Sequence, residues 1–171
     1  MKFFIDTEFI ERPFTIELIS IGIVSEDDRE LYLVNKDADL SHADDFVINE
    51  VLAKMPEYDK DRNKIRPSGS HVVSMEEIGK RVIGFCGKAP VFWGYFCDYD
   101  WVIFCWIFGR MIDLPPHFPM YCRDLKQMMD AVDCKNIKQQ DDDTAHNALQ
   151  DAIWIKQTYN HLKDVCHIDR I

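Results

Sequence analysis

Apolar positions dominate residues 2–8, "KFFIDTE", return as a nearly unbroken run at 15–25, "TIELISIGIVS", and again at 31–35, "LYLVN". Short runs rich in Ile, Val and Phe, separated by brief polar turns such as "SEDDRE", predict three strands joined as an antiparallel meander. The second run alternates so little that it predicts a central strand covered on both faces. The period then lengthens. In "DDFVINEVLAKMP" (44–56) the spacing of Phe46, Val47, Val51 and Leu52 predicts a helix stopped by Pro56. Residues 57–73 are polar, carry Lys60, Arg62, Lys64 and Arg66, and read as an exposed loop. "SMEE" (74–77) has the form of a capping box, with Ser74 capping and Glu77 reaching back, and opens a helix to about Gly87. "PVFWGY" (90–95) predicts a buried strand and "YDWVIFCWIFG" (99–109) a buried helix ended by Gly109. The proline-rich "DLPPHFP" leads to a helix near "RDLKQMMDAV". A last helix is predicted from near Thr144 to about Val165, with Ala148, Ala152, Ile155, Tyr159 and Leu162 as its apolar stripe. Three strands, a helix, a strand and further helices predict an α/β domain with a mixed sheet, spanning 1–171.

Acids interrupt this pattern where burial is expected. Asp6 and Glu8 stand two apart in the first strand, so both side chains point to one face. Carboxylates that close repel unless a cation lies between them, and hard oxygen ligands suit magnesium or manganese. The same triplet also fits an edge strand with a solvated face. Asp98 and Asp100 lie in the most apolar stretch, "YFCDYDWVIF". At a helix start either could serve as a cap, and negative charge is favoured there in any case. In "TAHNALQDAIW" (144–154), Asp151 shares a helical face with Ala148 and Ile155 and borders the buried stripe. His146 is five residues earlier, about 140° round a regular helix, so it must precede the helix to point into a common site. Alone, His146 also fits an exposed residue at a helix start.

The formal net charge of −10 argues against a protein that coats nucleic acid with a broad basic surface, yet admits an enzyme that touches a few nucleotides. Six scattered cysteines without a C-x-x-C pair read as reduced thiols. The most apolar segment, 91–109, is interrupted by two aspartates, which argues against a membrane span. The N-terminal residues run straight into the strand pattern without the apolar core of a signal peptide. A cytoplasmic enzyme is the expectation.

Taken together, "DTE" after an apolar strand, an aspartate opening a buried helix and His-x-x-x-x-Asp at the last helix resemble the three motifs of the DEDDh exonuclease superfamily. That group includes ribonuclease T, oligoribonuclease and polymerase proofreading domains. The wording "DTEFIE", "TIELISIG" and "YCRDLKQ" (121–127) is similar to small stand-alone bacterial 3′-5′ exoribonucleases. The resemblance implies a ribonuclease H-like fold, with a central mixed five-stranded sheet of which three N-terminal strands are antiparallel, flanked by helices. It implies that Asp6, Glu8, Asp100 and Asp151 bind two Mg²⁺ or Mn²⁺ ions, roughly 3.5–4 Å apart. Asp6 would bridge the ions. Glu8 and Asp151 would hold the ion carrying the attacking water, Asp100 would support the other, and His146 would take the water's proton. The alignment of "YD-WVIF" favours Asp100 over Asp98. Many relatives carry asparagine four residues before that aspartate, where this chain has Phe96. RNA or single-stranded DNA 3′ ends are the implied partners, and a homodimer is the form many relatives take. Phe9, Glu11 and Arg12, beside the first motif, are substrate-binding candidates. Trp93 and Tyr95 are candidates for base stacking or core. The rivals are a ribonuclease H-type endonuclease, which would lack "HNALQD", and a catalytically silent module that only binds nucleic acid or protein.

Overall fold

A computed structural model describes residues 1–132, 137, 139–141 and 144–166. The three N-terminal runs form β1 (Lys2–Arg12), β2 (Thr15–Ser25) and β3 (Glu30–Asn35), paired antiparallel as the pattern predicts. Chain order continues with β4 (Tyr58–Asp59), β5 (Lys64–Ile65), β6 (Val72–Val73), α1 (Met75–Cys86), β7 (Val91–Gly94), α2 (Asp98–Trp106), β8 (Arg123–Asp124), α3 (Leu125–Ala131) and α4 (Ala148–Cys166). The main sheet has order β6-β3-β2-β1-β7-β8, with β6, β7 and β8 joined in parallel. It is mixed, as expected, but has six strands rather than five. The outer pairs, β6 and β8, are two residues long, too short to leave a periodic signature.

The two faces of β1 sort its side chains. Phe3 and Ile5 join Ile21, Ile23 and Phe92 under α1 and α2, with Ile78, Val82, Ile103 and Phe104. On the opposite face Phe4 packs with Trp93 beneath α3 and α4, against Leu125, Met128, Ile155, Tyr159 and Leu162. Further along that face Ile10 joins Ile19 and Val34 under the segment 40–55. The sheet is thus a middle layer between helices, and the α4 stripe lies buried as its spacing predicts. Asp6 and Glu8 fall between the Phe4 and Ile10 clusters, where the cover changes from α4 to the 40–55 segment.

Several local expectations are corrected. The helix expected over 44–56 is wound unevenly: a wide π turn, Val47–Val51, followed by a tight 3₁₀ turn, Leu52–Lys54. This winding buries Val47, Val51, Leu52 and Met55 together, so packing on the sheet outweighs regular geometry. The supposed exposed loop 57–73 contains a small hairpin of β4 and β5 and buries Glu57 and Ile65. Ser74 does accept the Glu77 amide, but the Glu77 carboxylate pairs with Arg81 at 2.8 Å instead of reaching back. Helix α2 ends at Trp106; the chain turns before Gly109, whose φ is +110°. Neither Asp98 nor Asp100 caps it. Cys97 occupies the cap position, and its amide is held at 3.1 Å by Asp124 Oδ2. The other oxygen of Asp124 accepts the Lys126 and Gln127 amides, so one carboxylate serves the starts of two helices. Helix α4 begins at Ala148, not Thr144, because Asn147 Oδ1 accepts the Gln150 amide; Asp142 and Asp143 of the "DDDT" run lie outside the described residues. Cys86, Cys97 and Cys105 are buried and Cys122 half-buried, all as free thiols; Cys134 and the side chain of Cys166 lie outside the described residues.

Gly22 fixes how near α4 comes to the sheet. It pairs across from Asp6, and a Cβ built on it would stand 2.2 Å from the Ala148 carbonyl oxygen and 2.4 Å from the Leu149 nitrogen. Both obstacles are backbone, so the first turn of α4 would have to lift. Gly22→Ala is expected to destabilise the protein by about 3 kcal/mol or more, the upper range for overpacking. A urea titration checks this; a midpoint equal to wild type would contradict it.

Candidate active site

That close approach delivers the third acid. Asp151 sits one turn into α4, directly above the strand positions of Asp6 and Glu8. One carboxylate oxygen from each of Asp6, Glu8 and Asp151 lies within 4.8 Å of the others, with Glu8 buried and the other two half-buried. They form the floor of a cavity of about 340 Å³ whose walls include Phe9, Glu11, His42, Asp44, Phe46 and His146. A register shift between Glu8 and Phe9 leaves Ile19 of β2 unpaired, a bulge in β2 opposite the point where the acids end and the cavity opens.

Asp100 is close by but lies outside the triad. It is 6% exposed and reaches β1 from α2, accepting the Thr7 amide at 2.8 Å and the Thr7 hydroxyl. Thr7, between the two acids in sequence, thus ties the α2 aspartate to the same strand. Asp98 is exposed.

The electrostatics are those of excess negative charge in a dry place. Burial, then the charges of Asp100, Glu8 and Asp151, push the Asp6 carboxyl well above its ordinary range. Burial and Asp151 push Glu8 up to about 9, against a small opposing pull from Lys54. Asp100 is raised by burial to about 6, with the Thr7 hydrogen bonds restraining it. Burial raises Asp151 as well; its bonds to Gln140 and Glu8 and the charge of His146 pull the other way. Glu8 and Asp151 act on each other in opposite directions: Asp151 raises Glu8, while Glu8 pulls Asp151 down. Without a cation, the site keeps part of its charge neutralised by protons.

His146 lies just before α4, as the helix geometry requires of a residue sharing a site with Asp151. Its φ of +63° is the left-handed region, uncommon outside glycine and tolerated where surrounding structure holds it. The ring stands edge-on to Phe46, centroids 5.0 Å apart, and lines the cavity. Phe96 also has positive φ (+51°), a backbone state that asparagine adopts more readily than phenylalanine.

The substrate candidates divide. Phe9 and Glu11 line the cavity, while Arg12 does not; its charge acts on Asp39 instead. Trp93 is 2% exposed and packs on Tyr159, so it belongs to the core, and Tyr95 packs against Phe96 and Trp154. The sequence pattern did not single out His42 or Asp44, nor Phe46 as a cavity wall. Phe46 is 54% exposed despite its apolar character, and only its place beside His146 shows it as part of the site.

Comparison with known proteins adds the family. A model of the Rv2179c-like 3′-5′ exoribonuclease domain matches residues 1–162. Two Mycobacterium tuberculosis proteins, 3′-5′ exoribonuclease Rv2179c of strain H37Rv and 3′-5′ exoribonuclease MT2234.1 of strain CDC 1551, are each 37% identical over 156 residues, covering 89% of this chain and 87% of theirs. Among solved structures, the Mg²⁺- and Mn²⁺-bound form of S. pombe Pop2p matches with a TM-score of 0.64 at 16% identity, covering 99% of this chain and 85% of that one. The last likeness shows the fold, which is ribonuclease H-like. With the family model spanning nearly the whole length, the chain belongs to the Rv2179c-like family of 3′-5′ exoribonuclease domains.

Proposed function

We propose that this chain hydrolyses the terminal phosphodiester at the 3′ end of RNA, releasing nucleoside 5′-monophosphates, with two divalent cations and a histidine general base. The observation that carries the reading is the convergence of Asp6, Glu8 and Asp151 from two strand positions and one helix turn onto a shared cavity floor. The donor set fits a hard cation: three carboxylates, mutually repelling and partly protonated, whose oxygens are close enough to share a ligand. Pop2p, of like fold, was solved with Mg²⁺ and Mn²⁺.

On this reading Asp6, Glu8 and Asp151 would hold the cations directly. Asp100, held against Thr7, would support the bound cations from beside the triad. When bound, the cations lower the pKa of a water and balance charge on the scissile phosphate. His146 would take the proton of the attacking water, its ring set edge-on against Phe46. Phe9 and Phe46 present aromatic surface to the terminal base, a contact that tolerates any sequence. Single-stranded DNA is the second substrate to test. Product analysis on matched single-stranded RNA and DNA decides: nucleoside 5′-monophosphates appearing one by one from RNA 3′ ends support the reading, and internal cleavage or no cleavage overturns it.

The raised carboxyl pKa values give a signed pH prediction. A raised acid favours the metal-free fold while protonated. For Glu8 that contribution is complete below its unfolded value near 4.5 and is lost as pH rises toward about 9; for Asp100 the window runs from 3.8 to about 6. The melting temperature of metal-free protein should therefore fall from pH 5 to 9, and the gain on adding Mn²⁺ should grow over the same range. Differential scanning fluorimetry with and without Mn²⁺ measures both. A metal-induced gain that does not change with pH would contradict the assignment.

A further inference from the structure

A nuclease that trims 3′ ends must also hold the nucleotides upstream of the one it removes. The tight turn Leu40–His42 forms a ridge with the catalytic cavity on one side, where His42 lines it, and a second cavity of about 480 Å³ on the other, lined by Leu40 and Ser41. Lys36, Arg62 and Lys64 are exposed along this second groove. Among the described residues, none of the three side chains forms an ion pair or hydrogen bond. Of the acids on the same walls, Asp37 is exposed and Asp39 is engaged. Asp39 Oδ1 accepts the Ser41 amide at 3.0 Å, and its carboxyl is held low by Ser41, then by the charges of His42 and Arg12. The lining of this groove carries three cations, Lys36, Arg62 and Lys64, against two acids, Asp37 and Asp39, in a chain of net charge −10.

The groove is also preformed. Arg62 and Lys64 project from the β4–β5 hairpin, whose tip residue Asn63 donates from Nδ2 to the Leu40 carbonyl at 3.1 Å and accepts from the Tyr58 hydroxyl at 3.0 Å. The hairpin is thereby tied to the same turn that borders the catalytic cavity.

We propose that Lys36, Arg62 and Lys64 bind the phosphates of RNA nucleotides immediately upstream of the terminal one, the strand crossing the Leu40–His42 ridge. The proposal rests on the exoribonuclease reading. Its test is fluorescence anisotropy of a labelled ten-nucleotide and a two-nucleotide oligouridylate, in Ca²⁺ and across a KCl series, with hydrolysis of both measured in Mg²⁺. In the variant Lys36→Ala/Arg62→Ala/Lys64→Ala, affinity for the ten-mer should fall about tenfold while the dinucleotide is little affected. The slope of log K against log salt should drop by about 2, three contacts at about 0.7 each. The charge-retaining variant Lys36→Arg/Arg62→Lys/Lys64→Arg should restore ten-mer binding. Unchanged ten-mer affinity and slope, or equal losses on both lengths, would overturn the proposal. If wild type hydrolyses neither RNA, the exoribonuclease reading fails, while the anisotropy comparison still decides the groove.

Discussion

Replacing Asp6 with asparagine is expected to lower kcat by about a thousandfold or more while raising the melting temperature of the metal-free protein. The two effects share one cause. Asp6 faces Glu8, Asp151 and Asp100 from the middle of the group, and burial with their charges holds its carboxyl well above the ordinary range. An amide of the same shape removes that repulsion, and relief of about 1 kcal/mol corresponds to about 3 °C in a chain of this length. The same change removes one of the carboxylates proposed to hold the cations. Loss of about 4 kcal/mol of charge stabilisation in the transition state is about a thousandfold in rate. Steady-state kinetics and a thermal melt in EDTA measure the pair. A variant that loses activity together with thermal stability would point to a structural role for Asp6 instead.

The second large effect is expected at His146. His146→Asn should lower kcat by about 10²- to 10⁴-fold, the usual contribution of a general base, and leave Mn²⁺ binding intact. Asparagine is the informative choice because His146 has φ +63°, a conformation that asparagine tolerates and alanine resists. It also cannot accept a proton near neutral pH. Activity within a few-fold of wild type on a 3′-labelled oligonucleotide would remove the general-base assignment; loss of Mn²⁺ binding would recast His146 as part of the ligand shell.

The parts of this molecule legible in its sequence are those whose signal lies within one element. The two-residue spacing put Asp6 and Glu8 on one face, and the α4 stripe from Ala148 to Leu162 appeared buried as its period requires. The helical angle between His146 and Asp151 required His146 to precede α4, and it does. What escaped depends on contacts between distant segments. Gly22 reads as an ordinary glycine in an apolar strand, yet it sets the height of α4 above Asp6. Asp124 caps two helices at once, a role visible only when β8 meets the start of α2. The winding of 47–54 follows the need to cover Ile10 and Val34, and the β4–β5 hairpin is too short for its pattern to rise above a polar loop. Arg12 next to "DTE" looked like part of the catalytic cavity, but it acts on Asp39 on the groove side of the ridge. Trp93, a candidate for stacking or core, fills the core, whereas exposed Phe46, from another segment, borders His146.

The central claim is that Asp6, Glu8 and Asp151 exist to share divalent cations. Anomalous diffraction at the manganese edge, from crystals soaked in millimolar MnCl₂, tests it directly. The account predicts two peaks roughly 3.5–4 Å apart among these three carboxylates, with Asp100 facing one of them. Density without a manganese peak in this cavity, or carboxylates turned away from one another, would contradict it.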